Sequence, residues 1–415
     1  MSRRALNVRQ FGEEILGPVV AEFCLRLWSV TSLFERPDDA ALLFCARGGL
    51  RMQLAYERFL QATALPSAVR ISPLMVSRLV AVRPTLQRSL EEGLPTLLPA
   101  ATAALTTEFR RGTIADVFRA VTGVSPEQGD QRWNADFTPA GLLELLRQPH
   151  GAAGATALAE QAQLFTRHLR EVLGDRRTAV LVDTGLFGTT QDLLAEGLPD
   201  LNISCALMVR SLRPKIAGVD PRTFGLSVEA FDYSPIRART AVLRYWHYIE
   251  WLFEPDLPSV RTFVTEDGRV RSNLEVTGWP DRVEPAPESA FAGVLHYLDG
   301  LGPGPAEQIS ADADRAWRRY RRIVVWPHRE DGDVLAVGTR SHDFGRAATW
   351  DQPTVHSVVA ALRGNPMWRE GEVARSGSPF RAPLLLALEA AHAARLARRM
   401  VRRGRRTGPG EPLQQ

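Results

Sequence analysis

Two short stretches concentrate the residue types that hold anions. In CARGGL (Cys45–Leu50) an arginine and a glycine pair follow an apolar run. Glycines let backbone N–H groups approach an anion closely, a following helix adds its dipole, and Arg47 offers a planar guanidinium to a phosphate or diphosphate. The plainer reading is a tight turn at Gly48-Gly49 beside a surface arginine. In VLVDTGLFGTTQ (Val180–Gln191) an apolar run ends at Asp183, and Thr184, Gly185, Gly188, Thr189 and Thr190 follow. The acid could hold ribose hydroxyls or a Mg²⁺ carried by a phosphorylated ligand, while the glycines and threonines could cradle a phosphate. The alternative is an Asx turn whose threonines cap a helix. Two such turns on one sheet could hold the two ends of a doubly phosphorylated ligand.

The elements that must position these turns are readable. Ala41–Leu60 reads as strand, loop and helix, with Met52, Ala55, Tyr56 and Phe59 giving the helical face. Thr178–Leu198 repeats that unit, and a third strand is predicted at Ile203–Val209. Ile15, Val19, Phe23 and Leu27 mark a helix over Phe11–Trp28, and residues 85–173 read as helical, with breaks at Pro95, Pro126 and Pro139. Strand–helix alternation predicts an α/β fold: a mostly parallel sheet with a large helical insertion at about 85–173 and a smaller C-terminal region. Glycines and prolines from Asp267-Gly268 to Pro305 suggest turns or a linker. The predicted division is 1–265 for the α/β domain, 266–376 for an accessory region, and 377–415 for an amphipathic basic helix and tail. A short strand is expected at Ile323–Trp326.

Bulk properties exclude several classes. The chain has 415 residues, 45% of them hydrophobic and 24% charged, as in a globular protein. No apolar run approaches the ~20 residues that span a bilayer, and the N-terminus does not read as a signal peptide. Cys24, Cys45 and Cys205 are too few and too scattered for a disulfide framework or zinc site, which fits a cytoplasmic setting. Removing seven arginines at 395–406 from the net charge of +4 leaves the rest at −3, so nucleic acid is not expected as a partner. That arginine-rich helix could instead lie on the inner face of a membrane or remain a solvated tail.

CARGGL resembles the pyrophosphate loop of purine-type phosphoribosyltransferases, and VLVDTGLFGTT resembles their loop for 5-phospho-α-D-ribosyl diphosphate (PRPP). The wider pattern is similar to the divergent glycan phosphoribosyltransferase domains of bacterial polysaccharide assembly, which are often fused to a haloacid dehalogenase-type phosphatase. The matching landmarks, in family order over roughly residues 10–265, are EEILGPVVAEFCLRLW, LLFCARGGLRM, LMVSRLVAVRP, VLVDTGLFGTTQ and IEWLFEPDLPSV. The resemblance implies phosphoribosyl transfer from PRPP and Mg²⁺ to a hydroxyl of a glycan acceptor, which could be lipid-linked, with release of diphosphate. It implies the 5-phosphate at Gly185–Thr190, the diphosphate near Arg47, and Asp183 on the ribose hydroxyls. Glu250 is then the candidate base or acceptor ligand, and Arg78 a second phosphate ligand.

The departures are specific. The family's first loop reads S-R-D-G where this chain has Ala46-Arg47-Gly48-Gly49, and one acid, Asp183, stands where two adjacent acids are usual. The phosphatase motif D-x-D-x-T is absent; Asp312-Ala313-Asp314 has its spacing in a polar setting, so a separate phosphatase is implied. A non-catalytic sugar-phosphate binder or scaffold is the alternative. An S-adenosylmethionine-dependent methyltransferase is a third reading, opposed by Phe187 at a required glycine. Tyr245, Trp246, His247, Tyr248 and Trp251 could stack on a sugar or belong to the core, and His342-Asp343 reads as a dyad or a loop pair.

Overall fold

Period-two alternation in the apolar runs sends their side chains to opposite faces of one sheet. The computed structural model describes residues 6–127, 130–211, 222–229, 234, 237–335, 340–341, 349–350, 358–363 and 367–404. Its main sheet contains β1 (Ala40–Cys45), β2 (Arg70–Leu74), β3 (Thr178–Leu186), β4 (Asn202–Arg210) and β5 (Thr223–Val228). All are parallel, in the order β2-β1-β3-β4-β5, so the α/β class and parallel sheet match the expectation.

Leu42, Phe44, Val180, Val182, Ala206 and Met208 face one core, closed by the helices Gly17–Thr31, Ala290–Asp299 and Ala306–Val325. Their neighbours Ala41, Leu43, Ala179, Leu181, Cys205 and Leu207 face a second core, filled by the helices between β2 and β3. Those helices are Arg78–Glu91, Pro99–Glu108, Ile114–Thr122, Pro139–Arg147 and Ala152–Leu173. The predicted insertion is therefore the β2-to-β3 crossover, and it begins at Arg78. Pro139 falls at a helix boundary, as expected, and opens the next helix, with the Thr138 side chain accepting from the Gly141 N–H.

Residues on both sides of 265 fill the same cores. Trp317, Tyr320 and Val324 join the first, while Val270, Leu274 and Val283 join the second. The hairpin β6 (Phe263–Glu266) and β7 (Arg269–Ser272) turns at Asp267-Gly268, both at positive φ. The strand expected at Ile323–Trp326 is instead the end of the Ala306–Val325 helix, where Ile323, Val324 and Val325 are all buried. A short β-branched run does not distinguish a buried strand from a buried helical turn. Conversely, β2 and β5 escape the sequence because they are edge strands carrying Pro73 and Gly225, which sheet edges tolerate. Cys24, Cys45 and Cys205 are buried thiols. Among the described residues, no helix is long and apolar enough to cross a membrane.

Candidate active site

The sheet opens where connections leave in opposite directions. From β1 the chain passes outward to β2, whereas β3 lies on the other side of β1. Open α/β sheets offer a crevice at the carboxyl ends of such strands. Register deepens it: β1 pairs with β3 only as far as Phe44–Val182, while β3 continues beside β4 to Leu186–Arg210. Asp183 is thus the first β3 residue beyond the reach of β1. A cleft of about 260 Å³ lies there, lined by Ala46, Arg47, Gly48, Arg78, Asp183 and the Thr184–Thr190 turn, with Glu250 and Glu254 on its wall.

Three helices point their N-termini into it: Gly48–Thr63, Arg78–Glu91 and Thr189–Gly197. The first and third have no side-chain cap. Helix N-termini present N–H donors and the positive end of the dipole, which suits an anion. The second is capped by Ser77, whose hydroxyl accepts from the Val80 N–H at 3.2 Å and donates to the Val260 carbonyl at 2.7 Å. Both turns contain a cis peptide, Ala46–Arg47 and Gly185–Leu186.

The glycines divide by role. Gly185 has φ 140° and a Cβ there would lie 2.3 Å from the Val209 carbonyl oxygen. Gly188 has φ 66° and a Cβ would lie 2.8 Å from the Thr223 hydroxyl. Gly49, expected in the anion loop, does not line the cleft; its missing Cβ lets the helix sit against the Phe44 backbone, 2.6 Å from where that Cβ would be. Gly48 does line the cleft and has room, its nearest neighbour being a Thr184 methyl at 3.7 Å. Thr189 and Thr190 line the cleft but do not cap the helix, whose N-cap is Gly188. The Gln191 side chain donates to Ile203 and accepts from Thr223, tying the turn to β4 and β5.

Asp183 carries the clearest electrostatic cost. Burial pushes its carboxyl up to about 6, and the Glu250 charge adds to that rise. Hydrogen bonds from the Thr184 N–H (2.7 Å) and hydroxyl (3.3 Å) and the charge of Arg78 act in the other direction. The Thr184 hydroxyl is thus directed to Asp183. Burial and the nearby Asp183 carboxylate also hold the Cys45 and Cys205 thiols well above their ordinary range.

Arg47 is engaged by the protein itself. Its guanidinium forms an ion pair with Glu254 and donates to the Leu257 carbonyl at 3.0 Å. Glu254 was not singled out by sequence, although it stands in the EPDLPS run four residues after Glu250. That run forms a strap over the ends of β1 and β2. Arg51 donates to the Glu254 carbonyl, Arg83 to Arg261, and Asn273 to Ser259. Arg83 is buried, also donates to Val121 at 2.8 Å, and has its pKa lowered by burial to about 10, still cationic at neutral pH.

Other candidates are not brought to this cleft. Tyr245 stacks on Trp368 at 4.9 Å, and Tyr248 meets Phe11 edge-on, so these aromatics are core rather than a sugar platform. Asp312 accepts from the Tyr297 hydroxyl and pairs with Arg315, and Asp314 pairs with Arg239, all structural contacts. His342-Asp343 lies outside the described residues. Among the described residues, no group of three or more His, Cys, Asp or Glu side chains could hold a metal ion unaided. No family model and no curated protein matches the chain.

Proposed function

We propose that the cleft binds PRPP and that the chain transfers its phosphoribosyl group to a glycan hydroxyl in surface-polysaccharide assembly. The observation that carries this reading is the meeting of three helix N-termini and Arg78 with two carboxylates, Asp183 and Glu250, in one switch-point cleft. The donors suit a ligand with two anionic ends, and the carboxylates suit its ribose and an incoming hydroxyl. In the proposed reaction the 5-phosphate sits at the Gly188–Thr190 turn and the diphosphate at the Ala46–Gly48 turn. Asp183 orients the ribose hydroxyls. The bond from C1 to the diphosphate breaks, the acceptor oxygen bonds to C1, and Glu250 takes the acceptor proton.

Asp183 and Glu250 are hard oxygen donors, and their mutual repulsion is what a cation would relieve. Two carboxylates with substrate phosphates form a Mg²⁺ site, whereas they do not form one alone. Mg²⁺ bound in this way would neutralise charge on the departing diphosphate. The chain has no phosphatase nucleophile motif, so a separate phosphatase would act on the phosphorylated product.

A second reading has one observation in its favour. The Arg47–Glu254 ion pair engages the guanidinium assigned to the diphosphate, as it would in a domain that binds a sugar phosphate without turnover. Diphosphate release, measured with Mg²⁺, PRPP and a panel of glycan acceptors, separates the two. Acceptor-dependent release is expected; PRPP binding with no release across the panel would favour the non-catalytic binder.

A further inference from the structure

The C-terminal helix, Arg381–Gly404, is anchored by one side only. Leu385 is buried against Val373, and Glu389 accepts from Arg321 at 2.8 Å and pairs with Arg244 at 3.0 Å. Leu396 extends the same inward side. This anchorage turns Pro383, Leu386, Ala387, Ala390, Ala391 and Ala394 outward, all of them exposed. No charged residue is exposed between Ala382 and Ala394. Surface helices ordinarily carry their polar residues on that side. Phe380, just before the helix, is 68% exposed, and Leu386 is 60% exposed.

Charge begins where the apolar side ends. Arg395 and Arg398 are exposed, and the sequence adds Arg399, Arg402, Arg403, Arg405 and Arg406. No acid lies between Glu389 and Glu411. We propose that this face docks on an anionic lipid surface. Phe380, Leu386 and the outward alanines enter the boundary between headgroups and acyl chains, Arg395 and Arg398 meet lipid phosphates, and the arginines that follow in the sequence add to the positive charge. In a second copy pairing helix to helix, the one acid of the helix, Glu389, is turned inward and engaged by Arg321 and Arg244. A nucleic acid would satisfy the charge but leave the apolar side unused. The inference stands apart from the transferase reading, because nothing in it uses the cleft.

Co-sedimentation of the full chain with vesicles tests it. Vesicles of phosphatidylcholine with about 30% phosphatidylglycerol are expected to bind about tenfold or more tightly than phosphatidylcholine alone. Raising salt to about 0.5 M is expected to remove most of that advantage. Two variants separate the contributions, Phe380→Ser with Leu386→Ser, and Glu in place of Arg402, Arg403, Arg405 and Arg406. Each is expected to weaken anionic-vesicle binding about tenfold with an unchanged thermal midpoint. Equal binding to neutral vesicles, or none to either, would overturn the proposal. So would single-stranded RNA binding that outcompetes vesicles and ignores the Phe380 and Leu386 changes, or a dimer in solution that Leu386→Arg dissociates.

Discussion

The turn after β1 and the turn after β3 share a cleft but are built differently. After β3, Gly185 and Gly188 are dictated by positive φ and by backbone or side chains within 3 Å of a Cβ, so the fold alone explains both. What the fold does not explain is Asp183, an acid kept where burial and Glu250 oppose its charge. After β1 the pattern reverses. Gly49 is explained by packing against Phe44, whereas Gly48 has space and Arg47 is held across the cleft by Glu254. The functional signal therefore lies in groups whose placement is costly or structurally unnecessary, rather than in glycine content.

Asp183→Asn is expected to separate the two turns most strongly. Asn keeps an acceptor for the Thr184 N–H but removes the charge. Diphosphate release is expected to fall about a hundred- to a thousandfold, whereas stability at pH 7 is expected to rise. The native carboxyl holds its proton up to about pH 6, against 3.8 ordinarily. Its contribution to stability is thus fully present below about pH 4 and lost as pH rises through 6. Asn should be more stable than Asp by about 1–3 kcal/mol at pH 7, a gap closing toward pH 4, in urea melts across pH. A variant that loses both activity and stability at pH 7 would make Asp183 a structural residue.

The glycine pair gives the next contrast. Gly49→Ala is expected to cost about 2–4 kcal/mol, because its Cβ meets the Phe44 backbone. Gly48→Ala is expected to stay within about 0.5 kcal/mol, since its nearest neighbour is 3.7 Å away. Denaturant melts read the first, and PRPP titration reads any effect of the second on ligand entry.

Glu254→Gln is milder. It removes an ion pair whose side chains are each 17% exposed and lowers the negative charge of the cleft. Stability is expected to fall by about 1 kcal/mol, while PRPP affinity rises about three- to tenfold as the competing carboxylate goes. Weaker binding would mean that Glu254 positions Arg47 rather than competes for it. Smallest of all, Cys45 and Cys205 should stay unmodified by a thiol reagent at pH 8 in the native state and react on unfolding. Burial and Asp183 disfavour their thiolates.

The sequence made the centre of the molecule legible and its margins less so. Asp183 is legible because it closes the apolar run of β3, whereas Arg78 and Glu250, which share its cleft, stand out only through the LMVSRLVAVRP and IEWLFEPDLPSV landmarks. Edge strands β2 and β5 lacked that signal, holding Pro73 and Gly225 where an inner strand would hold branched apolar residues. The Glu254–Arg47 pair spans more than two hundred residues, a distance no local spacing can report. The Ile323–Val325 run looked like a strand because burial on all sides erases helical periodicity.

Calorimetric titration of the full chain with PRPP and Mg²⁺ reads the proposed ligand of the cleft itself. One saturable site is expected, weakened about tenfold or more by Arg78→Ala, which removes the half-buried cation whose charge acts on Asp183. No saturable binding, or binding indifferent to Arg78→Ala, would contradict the account.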